Sequence, residues 1–333
     1  MKKFFAKLAQ KYSFFDKLWN IIWWLDVKRR ALMYSDYDFA QKLFLSKIGK
    51  KADFNNPKTY NEKMWFFKLS NRDPLLTICS DKHLVRNYVA QNGFADILKK
   101  EYTCFENAEQ IEFSSLPSPC YLKCNHASGM NLIYRKEDNL DLNHLRWKFN
   151  FLLKQNPYLL SREWNYKNIK PLIICEELLQ MPDGSDIPEL QFFCFNGEPK
   201  LIMYNKGLAD NTGKHKLAMR WVFDVDFNLI KVKTSQQTDN NPPTKPLNFD
   251  RMLEIAKKLS QPFPHVRVDL FNINGKIYFN ELTFYSGGGF VFIEPIEWQN
   301  IIGDYLKCNS CQLPADVFKR HTIRDLLHNC RER

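Results

Sequence analysis

Asp269 and Glu281 stand on either side of Asn274-Gly275, the strongest short signal for a tight turn between two β-strands, and each lies in an apolar-rich run. Alternation puts Arg267, Asp269 and Phe271 on one face of the first strand, with Val266, Val268 and Leu270 on the other. On the second strand Ile277, Phe279, Glu281 and Thr283 share a face. Register decides the chemistry. A two-residue turn sets Glu281 opposite Val268, whereas a three-residue turn sets it opposite Asp269 and sets Thr283 opposite Arg267; the second is the expectation. Two facing carboxylates repel unless a cation lies between them, and for hard oxygen ligands that cation is magnesium or manganese. Arg267 adds a planar fork suited to phosphate oxygens. The run Ser286-Gly287-Gly288-Gly289 can turn closely spaced backbone N–H groups toward an oxyanion. An ordinary surface hairpin followed by a glycine turn fits the same residues.

A second group of residues suits phosphate. Lys123 follows an apolar pair and precedes the small-residue loop Asn125-His126-Ala127-Ser128-Gly129, after which a strand resumes. Such a loop can aim amides at phosphate oxygens with a lysine at its base, although a plain hairpin turn reads the same way. It is neither a Walker loop nor a dinucleotide fingerprint. Glu176 and Glu177 close the unbroken apolar run Leu172 to Cys175 and precede Leu178 and Leu179, which suits an adenine amino group and ribose hydroxyls or a simple exposed strand end. Lys206, Lys214, His215, Lys216 and Arg220 mark either a basic lid over phosphates or a solvated loop. Cys308 and Cys311, with His321, His328 and Cys330 downstream, lack the matched second pair that would make a zinc site convincing.

The elements that position these groups follow from composition and pattern. With 333 residues, 27 Phe, 14 Tyr and 8 Trp, the chain has ample material for a packed core. A net charge of +11 points to an acidic partner, and with no RNA-binding or zinc-finger signature that partner is not expected to be nucleic acid. Nine scattered cysteines read as reduced thiols of a cytoplasmic protein. Residues 1–34 form a distinct segment. There Phe4, Leu8, Tyr12, Phe15, Trp19 and Ile22 recur at helical spacing among Lys2, Lys3, Lys7, Lys11 and Lys17, so a basic amphipathic helix is expected. It suits the headgroup layer of an anionic membrane, with Trp19, Trp23 and Trp24 at the interface, or docking on the protein's own body or on a partner. Residues 35–118 read as mainly helical, with Thr59 and Ser80 as caps. Residues 119–306 mix strands and helices, including a hairpin across Asn196-Gly197, and residues 307–333 close with a helix.

These pieces occur in an order similar to that of an ATP-grasp ligase. More closely, NPKTYNEKM, SDKHLVR, LKCNHASG, REWNYKNIKP, FFCFNG and VRVDLFNINGKIYFNELTFYSGGG resemble the TupA-type ATP-grasp family, over about residues 53–306. That family is associated with teichuronopeptide and surface-polysaccharide gene clusters. The resemblance implies an α+β fold that clamps ATP between two subdomains, here with an N-terminal amphipathic helical segment. It implies carboxylate–amine ligation through an acyl phosphate. Carried over, Lys82, Lys123, His126, Ser128 and Gly129 would bind phosphates, Glu176, Glu177, Leu178 and Leu179 the adenine, and Glu189 and Gln191 would complete the nucleotide site. Asp269, Glu281 and Thr283 would hold Mg2+ or Mn2+, Arg267 would steady the transferring phosphoryl group, and Ser286, Gly287 and Gly288 would face the activated acyl group. Three positions depart from the usual pattern: Gln191 stands where a Lys is expected, Ala127 where a Gly is, and Thr283 where related ligases often carry Asn. The implied partners are a uronic acid of an acidic glycan or its lipid-linked precursor, an amino acid or other amine, and an anionic membrane surface through residues 1–34. That places the protein at the inner face of a bacterial cytoplasmic membrane. Glycosyl transfer from a nucleotide sugar and a non-catalytic, nucleotide-binding assembly role are the alternatives.

Overall fold

The computed structural model describes residues 12–127, 131–208, 218–308 and 312–328. Two compact units interleave along the chain, one from residues 1–52, 101–176 and 313–333, the other from residues 53–100 and 177–312.

The first unit holds a four-stranded sheet, β1 (Glu101–Phe105), β2 (Cys120–Cys124), β3 (Asn131–Tyr134) and β4 (Ile173–Glu177), in the order β1-β4-β2-β3. Its core joins Cys120, Leu122, Cys124, Ile173 and Cys175 to Phe113, Tyr134 and Phe149. The helix Leu142–Leu153 begins where the Asp141 side chain accepts the His144 N–H, a cap that offsets one orphan donor. A separate cluster seats Trp24, Val27 and Ala31 of the helix Ser13–Met33 on Tyr158, Leu159 and Leu326. Trp24 is therefore buried in protein rather than standing at an interface; docking on the body accounts for this side of the helix. Beside it, Asp36 binds Arg162 Nε at 2.9 Å, His321 Nε2 at 3.0 Å and the Tyr158 hydroxyl, tying three distant chain segments together. The closing segment is an Ala315–Phe318 3₁₀ turn and a short Ile323–His328 helix instead of one continuous helix.

The second unit is built on a six-stranded antiparallel sheet of β5 (Glu189–Phe195), β6 (Glu198–Lys206), β7 (Met219–Phe223), β8 (Leu229–Ile230), β10 (His265–Ile273) and β11 (Lys276–Thr283), in the order β11-β10-β5-β6-β7-β8. A short pair, β9 (Lys233–Thr234) with β12 (Ile293–Glu294), lies outside it. One face carries Leu190, Phe192, Val266, Val268 and Leu270, packed with Phe249, Met252, Ile255, Ala256 and Leu259 of the helix Phe249–Ser260. On the other face Phe193, Phe195 and His265 meet Tyr60 at the start of the helix Tyr60–Ser70. Thr59 and Glu62 cap that helix reciprocally, as its sequence leads one to expect. Ser80 is not a cap. Asp73 and Pro74 open a helix that runs through Ser80, and the chain turns at Asp81, whose Oδ1 accepts the His83 and Leu84 N–H groups.

Candidate functional site

The hairpin of β10 and β11 turns on two residues, Asn274 at φ 50° and Gly275 at φ 92°, so that Ile273 faces Lys276. A regular ladder from that turn would bring Glu281 opposite Val268. Instead the register shifts after Leu270 and Phe279, and Asn280 is the extra residue. Asp269 then pairs with Glu281 and Arg267 with Thr283, the expected partners, reached through a β-bulge rather than a longer turn. The bulge also separates the faces. Ile277, Phe279 and Leu282 enter the core, while Glu281 and Thr283 join Arg267 on the polar side.

Arg267 is the centre of that side. Its Nε lies 2.7 Å from Asp269 Oδ1 and its Nη2 2.5 Å from Oδ2; Nη2 also reaches Thr283 Oγ1 at 3.0 Å and Glu281 Oε1 at 3.5 Å, and Nη1 reaches Ser286 Oγ at 3.3 Å. Thr283 donates its hydroxyl to Glu281 Oε1 at 2.9 Å. Asp269 is wholly buried. Burial pushes its carboxyl up against the pull of Arg267, and burial of Arg267 is outweighed by the charge and hydrogen bonds of Asp269, which hold the guanidinium above its usual range.

The neighbouring strands extend the polar face. Across the ladder Asp269 pairs with Gln191 and Phe271 with Glu189, and β6 and β7 add Asn205 and Arg220. Glu189 is buried and accepts from Asn280 Nδ2 at 2.7 Å and Gln191 Nε2 at 3.1 Å. Its carboxyl is pushed up by burial and by Glu281, against Arg267. Gln191 Oε1 is buried and accepts no hydrogen bond among the described residues. Arg220 donates Nε to Asn205 Oδ1 at 2.6 Å, and burial with repulsion from Arg267 lowers its guanidinium to about 10.

After β11 the glycine run is tightly held. Gly287, Gly288 and Gly289 have φ of 58°, 65° and 89°, and a Cβ on Gly289 would meet the Trp65 ring at 2.7 Å. Lys68 Nζ donates to the Gly288 carbonyl at 2.7 Å, and the Gly288 N–H is spent on Tyr285 O.

In the first unit, Lys123 of β2 and Glu176 of β4 form a buried ion pair at 2.6 Å. Asn125 pins the following loop through Leu172 and Lys170: its N–H and side chain donate to their carbonyls, and its Oδ1 accepts the Leu172 N–H. His126 is buried with Nε2 3.2 Å from the Leu152 carbonyl, which ties the ring to a helix end. Ser128 and Gly129 lie outside the described residues. Glu177 Oε1 accepts the Lys100 N–H at 2.8 Å in the second unit, where Leu178, Leu179 and Lys82 are half-buried. Lys214, His215, Lys216, Cys311 and Cys330 also lie outside the described residues.

Could these groups hold a divalent cation? Among the described residues no three His, Cys, Asp or Glu side chains cluster as a ligand set. The donors at hand are the carboxylates of Asp269 and Glu281 and the Thr283 hydroxyl. They are all oxygen, and two of the three are carboxylates set opposite each other across the ladder. That donor chemistry fits a hard divalent ion.

The profile of the TupA-like ATP-grasp family matches residues 62–307. The chain belongs to the TupA-like ATP-grasp family. Solved structures that it resembles include D-alanine–D-alanine ligase from Bacillus anthracis complexed with ATP, at 13% identity and TM-score 0.39, over 70% of this chain and 66% of that one. Others are D-alanine–D-alanine ligase from Helicobacter pylori, at 14% and 0.37 over 69% and 62%, and L-amino acid ligase from Bacillus licheniformis, at 14% and 0.38 over 74% and 48%. The chain spans less than two thirds of the length of each. No curated protein matches the sequence.

In this TupA-like chain two members of the polar face escape a reading of the sequence. Asn280 is one, placed by the bulge beside Glu189. The other is Arg220, which reads as part of a basic loop but lies in β7, where strand pairing sets it beside Asn205.

Proposed function

We propose that the protein is an ATP-dependent carboxylate–amine ligase acting through an acyl phosphate. The observation that carries the reading is the Arg267, Asp269, Glu281 and Thr283 cluster, set on one sheet face in a chain of the ATP-grasp family. In the proposed reaction a substrate carboxylate oxygen attacks the terminal phosphorus of ATP, and the bond to the bridging oxygen breaks to release ADP. An amine then attacks the acyl carbon; the C–O bond to phosphate breaks, and the amine's proton leaves with phosphate or solvent. Arg267 neutralises charge on the transferring phosphoryl group and on the tetrahedral oxyanion, with its plane fixed by Asp269. Asp269, Glu281 and Thr283 would hold Mg2+, or Mn2+, which when bound supplies a Lewis acid for the phosphate oxygens. Lys123 supplies positive charge for phosphates and is oriented by Glu176. Glu177, Leu178 and Leu179 serve the adenine, while Glu189 and Gln191 act as polar contacts for the nucleotide. Ser286, Gly287 and Gly288 line the acyl group.

The carboxylate we assign is a uronic acid of a surface glycan or its lipid-linked precursor, and the amine an amino acid. The net charge of +11 supports an acidic substrate. We place the protein in the cytoplasm, peripheral to the inner face of a bacterial membrane; among the described residues no helix is long and apolar enough to cross one. The test is ADP release by the purified protein against uronic-acid glycans and amino acids. Asp269→Asn and Glu281→Gln should each lower it by at least about a hundredfold. ADP release unchanged by both, or consumption of a nucleotide sugar without ATP, would refute the ligase reading.

A further inference from the structure

The helix Ser13–Met33 has two apolar stripes, and its own body covers only one. Trp24, Val27 and Ala31, at spacings of three and four, are the buried stripe. The helix is fastened at its start as well: Asp16 Oδ2 lies 3.0 Å from His144 Nε2 and 3.7 Å from Lys148 Nζ, and Lys17 sits over the Trp147 ring at 5.5 Å. This is a docked element. Yet Phe14, Leu18, Ile21 and Leu25, again at spacings of four, three and four, are 68, 38, 42 and 58% exposed, with Ile22 beside them at 54%. At roughly 100° per residue this second stripe is centred about 120° from the first, so no rotation buries both on one surface.

Charge says what covers it. On the helical wheel Lys17 and Lys28 border the exposed stripe on one side, and Arg29 falls between Leu18 and Ile22. Asp16 lies on the opposite side of the helix, engaged by His144, while Asp26, next to Ile22 on the wheel, is paired with Arg29 and Arg30. An apolar stripe with a cationic border matches the acyl-headgroup boundary of an anionic bilayer, where the apolar side chains leave water and the lysines and arginines stay among phosphates. We infer that the helix Ser13–Met33 lies flat on an anionic membrane surface through Phe14, Leu18, Ile21, Ile22 and Leu25, while Trp24, Val27 and Ala31 lock it to the protein. This deepens the peripheral-membrane reading above and is independent of the ligase chemistry. Its consequence is a fixed presentation: the helix is a rigid foot of its unit, not a tether.

The test is co-sedimentation of the full chain with vesicles of phosphatidylcholine and phosphatidylglycerol against phosphatidylcholine alone, with the elution volume of the free protein recorded. The wild type should bind the anionic vesicles. The double variant Leu18→Glu, Leu25→Glu changes only exposed positions, so its melting curve should match the wild type while its vesicle binding falls by about tenfold or more. Lys28→Gln should weaken binding and flatten its salt dependence. Equal binding by the Leu18/Leu25 variant would overturn the assignment of this stripe and leave the membrane reading standing. A wild type that binds no vesicle would overturn both while leaving the ADP-release assay untouched. A wild-type dimer converted to monomer by the same variant would show that a second copy of the chain occupies the stripe, and would also overturn it.

Discussion

Arg267 spends its donors unevenly. Nε and Nη2 are committed to Asp269, Nη2 is shared with Thr283 and Glu281, and only Nη1, 3.3 Å from Ser286 Oγ, faces away from the carboxylates. A lysine could pair with Asp269 as a point charge but could not keep a second edge turned to a substrate oxygen. Among the described residues the Arg220 side chain makes one hydrogen bond, Nε to Asn205, on the same sheet face. Where Gln191 offers an amide instead of a lysine's charge, Arg220 is the cation that this face supplies from another strand. Arg220→Gln should therefore weaken ATP binding by about tenfold, the value of one charge-assisted bond, and leave adenosine binding unchanged. Calorimetric titration with both ligands checks this, and equal losses for the two would mean that Arg220 supports the fold and not the phosphates. That Arg267 and Asp269 share one face of a strand was legible in their types and spacing. The place of Arg220 was not, because it depends on a strand pairing that no local pattern around Met219 to Phe223 announces.

At the scale of the element, the β10–β11 hairpin depends on one inserted residue. Asn274-Gly275 signals its two-residue turn plainly, and taken alone it predicts the wrong partner for Glu281. The correction lies in Phe279-Asn280-Glu281-Leu282, where two polar residues stand between apolar ones; a strict alternation of Ile277, Phe279, Glu281 and Thr283 passes over that doubling. Asn280 also donates at 2.7 Å to the buried Glu189. Asn280→Ala removes that donor, leaving Glu189 with Gln191 among the described residues, and should cost about 1–3 kcal/mol in urea unfolding near neutral pH. The sign with pH follows from Glu189, whose carboxyl already lies above 4.5, its ordinary value, through burial. Its contribution is present below that value and lost as pH rises through the folded one, and losing a donor to the charged form moves the folded value higher still. The deficit of the variant should shrink as the medium becomes acidic. A deficit that grew on acidification would show that Glu189 is ionised and stable without Asn280.

Across the molecule, the two units carry acid sensitivity in different places. In the second unit His265 is buried with Nδ1 2.8 Å from the Cys194 carbonyl and Nε2 2.9 Å from the Tyr60 hydroxyl. A carbonyl only accepts, so Nδ1 donates to it and Nε2 accepts from Tyr60; the ring is neutral. Burial lowers its value from 6.5 to about 3. A depressed histidine gives stability that is whole above 6.5 and is lost as pH falls toward the folded value, about 3 kcal/mol of it by about pH 4. In the first unit Asp36 meets the opposite balance: burial raises its carboxyl, but the His321 hydrogen bond, the Arg162 charge and the Tyr158 hydroxyl together hold it below 3.8. The stability from Asp36 is present above 3.8 and fades only as pH falls through the lower folded value. Glu189 and Asp269, raised by burial, oppose the His265 effect in the same strands. On acidification from about pH 7 to about pH 4.5, the wild type should therefore lose more protection in β5 and β10 than His265→Gln does, with the helices Ser13–Met33 and Asp36–Ile48 alike in both. His265→Gln, whatever its effect on stability near pH 7, removes the titrating ring and should flatten the pH slope of the second unit while leaving the first unchanged. An unchanged slope in the variant would show that His265 does not govern the acid limit of its unit.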